Sequence, residues 1–335
     1  MNFLIAPIFY QGSCFKDIVL GILKAAKKNN IEFKLMSIEN KKLKSFGLEN
    51  PDEYFNNSLK KIIYLKNKLK DGDRVLIIDY FFPGIDLLEY YLKRNNVSVF
   101  KVALMHGGSF VEGDLYCGYD WLNNFEKGWF DVFDLIVSPS NFFIKNLDKE
   151  HTKKVKVLPW GLSSSLKPGF KNKTIDVIFP HRFSHDKGVE DLISIIERMP
   201  HINFFISGTS EKIIKNFPKD LRDVHSKLKN FKNVKFLGIE EGEKHINTLK
   251  ASKIIFSAAR QEGFGYSVFK SIQCGAIPVL PKRCCYTEFF DDKYLYSSID
   301  EAISMIDNFI NTYPKHYFYP DLQFFNFNKI VRLFK

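Results

Sequence analysis

The 335-residue chain has few cysteines and no long apolar segment. Its five cysteines form no C-x-x-C pair and no metal-ligand spacing, so the sequence predicts neither a structural zinc site nor a disulfide framework. An odd cysteine count without such a framework suits a reducing compartment. No apolar run approaches the roughly 20 residues of a membrane-spanning helix, and the apolar start of the chain lacks the basic region of a signal peptide. We therefore expect a cytoplasmic protein without a transmembrane segment.

The charge balance of the chain is basic. Lys and Arg number 49 against 38 Asp and Glu, which gives a formal net charge of +11. This balance favours polyanionic partners or anionic membrane surfaces, and solvated surface lysine explains it equally well. The length of the chain predicts two domains rather than one.

Short apolar runs alternate with helical periodicity along the chain, which predicts an α/β fold with parallel sheets. The predicted strands are 2–9, 31–38, 74–80, 98–105, 134–138, 155–158, 176–179, 202–207, 234–237, 254–258 and 276–280. The predicted helices are 15–28, 59–69, 85–93, 140–146, 189–198, 210–228 with a break at Pro218, 240–251, 266–275 and 299–313. A segment rich in Ser, Pro, Gly and Lys at 163–173 is the expected linker between the two domains.

The stretch 260–281 carries the clearest functional pattern. Glu262 and the glycines Gly263 and Gly265 follow a predicted strand, and a helix begins near Tyr266. Parallel sheets bind ligands at the carboxyl ends of their strands. Backbone amides beside glycines and a helix amino terminus both favour an anion such as a diphosphate. Glu262 lies at the same strand end and is suited to accept hydrogen bonds from hydroxyl groups.

Two cations follow the first predicted strand of the second half. Arg182 and Lys187 flank one loop at that strand's carboxyl end. Arg as a planar fork and Lys as a point charge both suit a diphosphate, while a solvated surface charge pair is the alternative interpretation.

Strand ends in the first half offer further candidates. His106 ends the predicted strand 98–105 beside Gly107 and Gly108, so it is either a ligand-binding residue or a polar residue satisfied in a turn. Gly12 follows the first strand and is either a substrate-facing turn or a simple one. The aromatic segment 115–133 predicts either a stacking platform or core.

Several of these residues resemble a known family. The pattern E-G-F-G at 262–265, then C-G at 274–275 and P-V at 278–279, resembles the donor-site motif of retaining GT-B glycosyltransferases, especially family four. This resemblance implies two Rossmann-like domains that face each other across a cleft. It implies an acceptor-side domain at 1–165, a nucleotide-sugar-binding domain at 174–310, and a tail at 311–335 that crosses back to the first domain.

The resemblance also implies roles for individual residues. The expected donor-binding residues are Arg182, Lys187, Glu262, Gly263, Phe264, Gly265, Tyr266, Ser267 and Lys270. His106, Glu262, Arg182 and Lys187 are the expected catalytic residues, with His106 contacting the transferred sugar. Lys270 stands where the family has a Glu that receives the ribose hydroxyls. We expect no metal and no cofactor, only a UDP-linked or GDP-linked co-substrate, because cations and a helix dipole neutralise the phosphates.

Two segments resemble a narrower group. The strings HRFSHDKGVEDL at 181–192 and PKRCCYTEFFDDKYLY at 281–296 are similar to tRNA-queuosine mannosyltransferases. We therefore expect sugar transfer to an acceptor hydroxyl, with retention as the family implies, and with a modified tRNA or DNA base as one acceptor. A surface polysaccharide or a glycolipid at a membrane is the alternative acceptor. Lys270 leaves a third interpretation open, an inactive sugar-nucleotide-binding protein. No paired carboxylates of a glycosidase are present.

Overall fold

The computed structural model describes residues 1–6, 14–36, 51–114, 116–162 and 165–335. The chain divides into two compact units. The first unit contains Met1–Gly161 together with Gln323–Lys335, and the second contains Leu162–Leu322. Within the described ranges each unit holds a six-stranded parallel sheet with flanking helices, which confirms the predicted α/β fold with two Rossmann-like domains.

The strands are short and mostly buried, as parallel strands covered on both faces are. Those of the first unit are β1 Asn2–Ile5, β2 Lys34–Met36, β3 Arg74–Ile77, β4 Phe100–Leu104, β5 Leu135–Ser138 and β6 Val155–Val157. Those of the second unit are β7 Ile175–Phe179, β8 Phe204–Ser207, β9 Val234–Gly238, β10 Ser252–Phe256, β11 Ile277–Pro281 and β12 Leu295–Tyr296. The sheet orders are β2-β1-β3-β4-β5-β6 and β12-β11-β10-β7-β8-β9.

Helices connect the strands. In the described residues they are α1 Cys14–Lys28, α2 Pro51–Lys68, α3 Ile85–Arg94, α4 Asp120–Val132, α5 Lys149–Thr152, α6 Asp191–Arg198, α7 Lys219–Lys229, α8 Gly242–Lys250, α9 Tyr266–Gln273, α10 Tyr286–Phe289, α11 Ile299–Asn311 and α12 Asn328–Val331. None of these helices, over the ranges given, combines the length and the apolar character that crossing a membrane requires.

In each sheet the chain adds strands in one direction and then reverses once to the other side of the starting strand. This reversal determines where a ligand site is expected. In the second sheet the chain runs outward from β7 through β8 to β9 and then returns to β10 on the other side of β7. The first sheet does the same between β1 and β3. Ligands of open α/β sheets bind at the carboxyl ends of the strands at such a switch point. Ligand sites are therefore expected at the β7/β10 pair and at the β1/β3 pair.

The carboxyl end of α9 is held by three side chains from other parts of the second unit. Lys173 Nζ donates to the Cys274 carbonyl at 3.0 Å, Tyr313 to the Gly275 carbonyl at 2.7 Å, and Tyr317 to the Ile272 carbonyl at 2.6 Å. These donors satisfy carbonyls that have no partner within the helix. The helix whose amino end faces the switch point is thus fixed at its far end.

Two sequence expectations need correction. The predicted helix at 140–146 is wrong, because the structure has only a single 3-10 turn at Phe142–Ile144. Its three apolar residues are consecutive, and only the middle one, Phe143, is fully buried, so no helical stripe forms. The predicted helix at 210–228 is a 3-10 turn at Ile214–Asn216 followed by α7. The break predicted at Pro218 is confirmed, because Pro218 immediately precedes α7.

Candidate functional site

The switch point of the second sheet brings Lys187 and Glu262 together. Lys187 lies in the loop after β7, and Glu262 lies in the loop after β10. Lys187 Nζ donates to Glu262 Oε2 at 3.2 Å and to the Gln261 carbonyl at 2.7 Å. The two side chains are only 11% and 18% exposed. A nearly buried ion pair therefore joins the two loops at the edge where ligands bind.

Asp186 connects this pair to Arg182. Its Oδ2 lies 3.4 Å from Lys187 Nζ and 2.8 Å from an Arg182 guanidinium nitrogen. The Asp186 carbonyl also accepts from the Arg260 amide at 2.8 Å. The Arg182 side chain is 44% exposed, so it is the cation of the group that a ligand reaches first. The result is a network of two cations and two carboxylates.

The electrostatics of the network keep Lys187, Glu262 and Asp186 charged. Burial lowers the pKa of Lys187, but Glu262 and Asp186 outweigh burial and hold that pKa above its ordinary value. Burial raises the pKa of Glu262, but Lys187 outweighs it and the pKa lies below its ordinary value. Burial also raises the pKa of Asp186, but the charges of Lys187 and Arg182 outweigh burial and lower that pKa to about 2. The site therefore presents fixed ionic groups at neutral pH.

Glu262 also shapes the glycine loop. Its Oε1 accepts from the Gly265 amide at 3.1 Å. Gly265 precedes α9 with φ of 84°, a left-handed conformation that favours glycine. The ring of Phe264 is buried and packs 5.1 Å from Phe269 and 5.7 Å from Phe289, so at this position the loop can offer a ligand its backbone but not the ring. Gly263 is buried in the same turn.

His181 and Ser267 join β7 to the first turn of α9. His181 follows β7 by two residues, and its Nδ1 lies 3.3 Å from Ser267 Oγ. Burial and the Lys187 charge lower the pKa of His181 to about 4, so the imidazole is neutral. His181 has no role predicted from the sequence, although it directly precedes Arg182.

The structure places the other predicted donor residues along α9. Tyr266 and Ser267 are its first two residues and are partly exposed at the helix amino end. Lys270 lies about one turn further on and is half-buried. Arg182, Lys187, Glu262 and the start of α9 are thus brought to one place.

In the first unit, His106 lies two residues beyond β4. Its Nε2–H donates to the Ile78 carbonyl at 2.7 Å, at the end of the adjacent β3. The ring packs between Phe15 and Trp160, with centroids 4.5 Å from each. Burial lowers the pKa of His106 to about 3, so the ring is neutral. With Nε2 engaged, Nδ1 is the atom that remains to accept a hydrogen bond from a hydroxyl group.

The glycines after His106 allow close packing. A Cβ on Gly107 would collide with the Asp114 carboxylate, and a Cβ on Gly108 would collide with the Tyr80 hydroxyl. Tyr80 in turn donates to Glu126 at 2.6 Å. These contacts assign Gly107 and Gly108 a packing role in this loop. Gly12, the remaining acceptor-side candidate, lies outside the described residues.

Sequence reasoning missed Glu126 and Asp79. Glu126 is fully buried in α4, where both carboxylate oxygens accept from the Ser109 amide. Its position between Leu122 and Trp129 on the apolar face of the helix was the available signal. Asp79 follows β3 in the same unit, and burial raises its pKa to about 8. Asp79 therefore adds a carboxyl group to the strand ends of the first unit, where His106 also lies.

Known proteins resemble this chain in sequence and in fold. Residues 164–304 match the family model of glycosyl transferases group 1, and this range contains the whole Arg182–Lys187–Glu262 network. Sucrose-phosphate synthase from Thermosynechococcus elongatus superposes with a TM-score of 0.72 at 12% identity, over 99% of this chain and 96% of that one. Anabaena Alr3699/HepE in complex with UDP-glucose gives 0.66 at 13% identity, over 99% and 98%. These structures show that the chain has the GT-B fold, and its second unit contains the stretch that matches glycosyl transferases group 1.

A curated relative is more similar in sequence over a shorter stretch. The tRNA-queuosine alpha-mannosyltransferase of Drosophila melanogaster is 31% identical over 142 residues. These residues are 41% of this chain and 36% of the relative, so the match spans little more than a third of that protein.

Proposed function

We propose that the protein transfers a sugar from a nucleotide-sugar to an acceptor hydroxyl, and that the second unit binds the donor. The observation that carries the proposal is the ionic network of Arg182, Asp186, Lys187 and Glu262 at the β7/β10 switch point, beside the amino end of α9. Cations and helix amides at one strand edge are what a diphosphate requires. The match to glycosyl transferases group 1 over the same residues supports this chemistry.

The reaction breaks the bond between the anomeric carbon and the diphosphate oxygen, and the nucleoside diphosphate leaves with the electron pair. The acceptor hydroxyl oxygen forms the new bond to the anomeric carbon, and its proton passes to the leaving diphosphate. Negative charge grows on the leaving oxygen, where Arg182 and the first amides of α9 stabilise it electrostatically. The nearly buried Lys187 adds positive charge to the site and holds Glu262 in place through their hydrogen bond. Glu262 has lone pairs beyond those used by Lys187 and Gly265, and these accept hydroxyls of the transferred sugar.

The acceptor side is assigned to the first unit. His106 Nδ1 is the acceptor for a hydrogen bond from a sugar hydroxyl, since Nε2–H is committed to Ile78. A neutral ring with a pKa of about 3 performs this role across the physiological pH range. On the family resemblance we propose retention of configuration, and the anomeric configuration of the product tests it.

We propose that the acceptor is a nucleic acid, with a modified tRNA base as the first candidate. The likeness to the Drosophila tRNA-queuosine alpha-mannosyltransferase and the net charge of +11 support it. A glycan or lipid acceptor is the alternative. A radiolabelled panel of UDP-linked and GDP-linked sugars, offered with tRNA, DNA, glycan and lipid acceptors, separates these cases.

The matched inactive control for this panel is Glu262→Gln. It preserves the acceptor for Gly265 but turns an amide toward Lys187, so transfer should fall by about a hundredfold or more. Label in tRNA with wild type, absent with Glu262→Gln, supports the proposal. Absence of transfer to all four acceptor classes, with no nucleotide-sugar bound, contradicts it.

A further inference from the structure

Four of the nine buried side-chain polar atoms without a hydrogen-bond partner in the described residues lie at three adjacent strand ends of the second sheet. They are His181 Nε2 after β7, Ser207 Oγ and Thr209 Oγ1 at the end of β8, and Glu240 Oε2 after β9. Each such atom destabilises the folded chain when it stays unpaired. A row of them beside the ionic network points to a polar ligand that lies along this edge and supplies the partners.

Glu240 is the most informative member of the row. Its side chain is only 3% exposed, and its Oε1 lies 3.3 Å from Lys244 Nζ. Its Oε2 is buried and has no hydrogen-bond partner within the described residues. A carboxylate only accepts hydrogen bonds, so the group that completes this site must offer N–H or O–H donors.

The spacing of the strands indicates which part of a ligand reaches Glu240. Neighbouring strands lie about 4.8 Å apart, so the end of β9 is about 10 Å from the end of β7. The strand ends of β8 and β9 are joined directly, since the Gly208 amide donates to the Gly238 carbonyl at 3.0 Å. A nucleoside diphosphate with its phosphates at Arg182 therefore extends its ribose past β8 and its base to β9. This step rests on the proposed function.

The surroundings of Glu240 suit a planar base. Ile239, the preceding residue, is 64% exposed although it is a large apolar side chain. An exposed apolar side chain beside a buried carboxylate offers a face for the ring and acceptors for its edge, which is the usual composition of a base-binding site.

We propose that Glu240 recognises the base of the donor nucleotide and that this base is guanine. Guanine presents two adjacent donors, N1–H and the N2 amino group, which match the two oxygens of a carboxylate. Uracil presents a single N3–H between two carbonyl oxygens, and those carbonyls face the carboxylate oxygens unfavourably. The donor is then a GDP-linked sugar.

Calorimetric titration of GDP and UDP into the wild-type protein and two variants tests the assignment. The wild-type protein should bind GDP about tenfold to a hundredfold more tightly than UDP, the range of one bidentate base contact. Glu240→Gln replaces one hydrogen-bond acceptor by a donor and should weaken the binding of GDP about tenfold or more. Its affinity for UDP should not fall, because the new amide donor suits a uracil carbonyl, and retained UDP binding also shows that the variant is folded. The adjacent Glu241→Gln is the matched control and should change neither affinity.

The outcomes separate this inference from the function on which it rests. UDP binding as tightly as GDP in the wild type, with transfer from a UDP-linked sugar, overturns the guanine assignment and leaves the glycosyltransferase proposal standing. An unchanged ratio of the two affinities in Glu240→Gln overturns the role of Glu240. Failure of the wild type to bind either nucleotide or to turn over any nucleotide-sugar overturns both.

Discussion

Lys187 Nζ lies 3.2 Å from Glu262 Oε2, and this contact joins two loops that are 75 residues apart in the chain. Both side chains are nearly buried, and Asp186 lies on the other side of the ammonium group at 3.4 Å. The pair is a structural element of the site as well as a candidate donor contact. Its double role means that stability and nucleotide binding must be measured separately.

Removal of Lys187 should destabilise the protein. In Lys187→Met, Glu262 and Asp186 keep their charges and lose the buried cation, and breaking a buried pair in this way costs about 3–5 kcal/mol. The double variant Lys187→Met/Glu262→Gln should recover part of that loss, because the two residues are coupled. Urea unfolding measures both effects.

Lys253→Met is the control for this prediction. Lys253 pairs with Asp176 at 2.8 Å in the same sheet, but near the amino ends of β10 and β7 and with greater exposure. Lys253→Met should lower the free energy of unfolding by less than Lys187→Met does, and it should leave nucleotide affinity unchanged. Equal losses in the two variants would contradict a special role for the Lys187–Glu262 pair.

Reversal of charge at Lys270 should change nucleotide affinity. In Lys270→Glu a carboxylate takes the place of an ammonium about one turn into α9. Affinity should rise if the new carboxylate accepts ribose hydroxyls, or should be lost if Lys270 contacts a phosphate. Calorimetry decides between them, with Lys250→Glu on the exposed end of α8 as control. Unchanged affinity would place Lys270 outside the donor site.

His185 should make stability depend on pH. Burial lowers the pKa of His185, but the hydrogen bond to Glu190 and the charge of Asp220 outweigh burial, so the folded-state pKa lies above the ordinary value. The stabilising contribution is therefore complete below the unfolded pKa of about 6.5 and is lost as pH rises through the folded pKa. His185→Gln should remove this loss from the unfolding profile, and His201→Gln at an exposed pair with Asp307 should not. Parallel wild-type and His185→Gln profiles would show that the pair contributes nothing.

Lys61 should have the opposite effect to His185, so that stability rises with pH. It is 2% exposed in α2, it donates to the Ala6 carbonyl, and burial lowers its pKa to about 7. The unfolded chain binds this proton up to about pH 10.4, so the free energy of unfolding should rise with pH above 7, by up to about 1.4 kcal/mol per pH unit. Lys61→Met should abolish this rise, while Lys60→Met at an exposed neighbouring position should preserve it. A rise of the same size in Lys61→Met would refute the assignment.

The strands were largely predictable from the sequence because buried parallel strands appear as continuous apolar runs. The run at 74–80 contains β3, and the run at 276–280 overlaps β11. The helix predicted at 140–146 failed because Phe142–Ile144 is apolar without helical periodicity. Strand pairing ends earlier than apolar character does, so the predicted strands are mostly too long.

The ionic network was only partly predictable. Arg182, Lys187 and Glu262 were identified because their loops follow apolar runs, and strand ends carry ligand sites. The bridging role of Asp186 was not identified, since it depends on the contact between the β7 and β10 loops. Glu240 was missed for a similar reason, because its burial depends on how the β8 and β9 ends pack. Long-range pairing of this kind leaves no pattern in the local sequence.

The most direct test of the account is the affinity of a nucleoside diphosphate for two arginine variants. Arg182 lies at the proposed diphosphate position and pairs with Asp186 at 2.8 Å, whereas Arg198 in the same unit pairs with Asp300 at 2.6 Å on α11. Calorimetric titration of GDP and UDP should show Arg182→Ala weakened about tenfold or more, the value of one charge-assisted contact, and Arg198→Ala unchanged. Wild-type affinity for both nucleotides in Arg182→Ala would contradict the claim that this network binds the donor diphosphate.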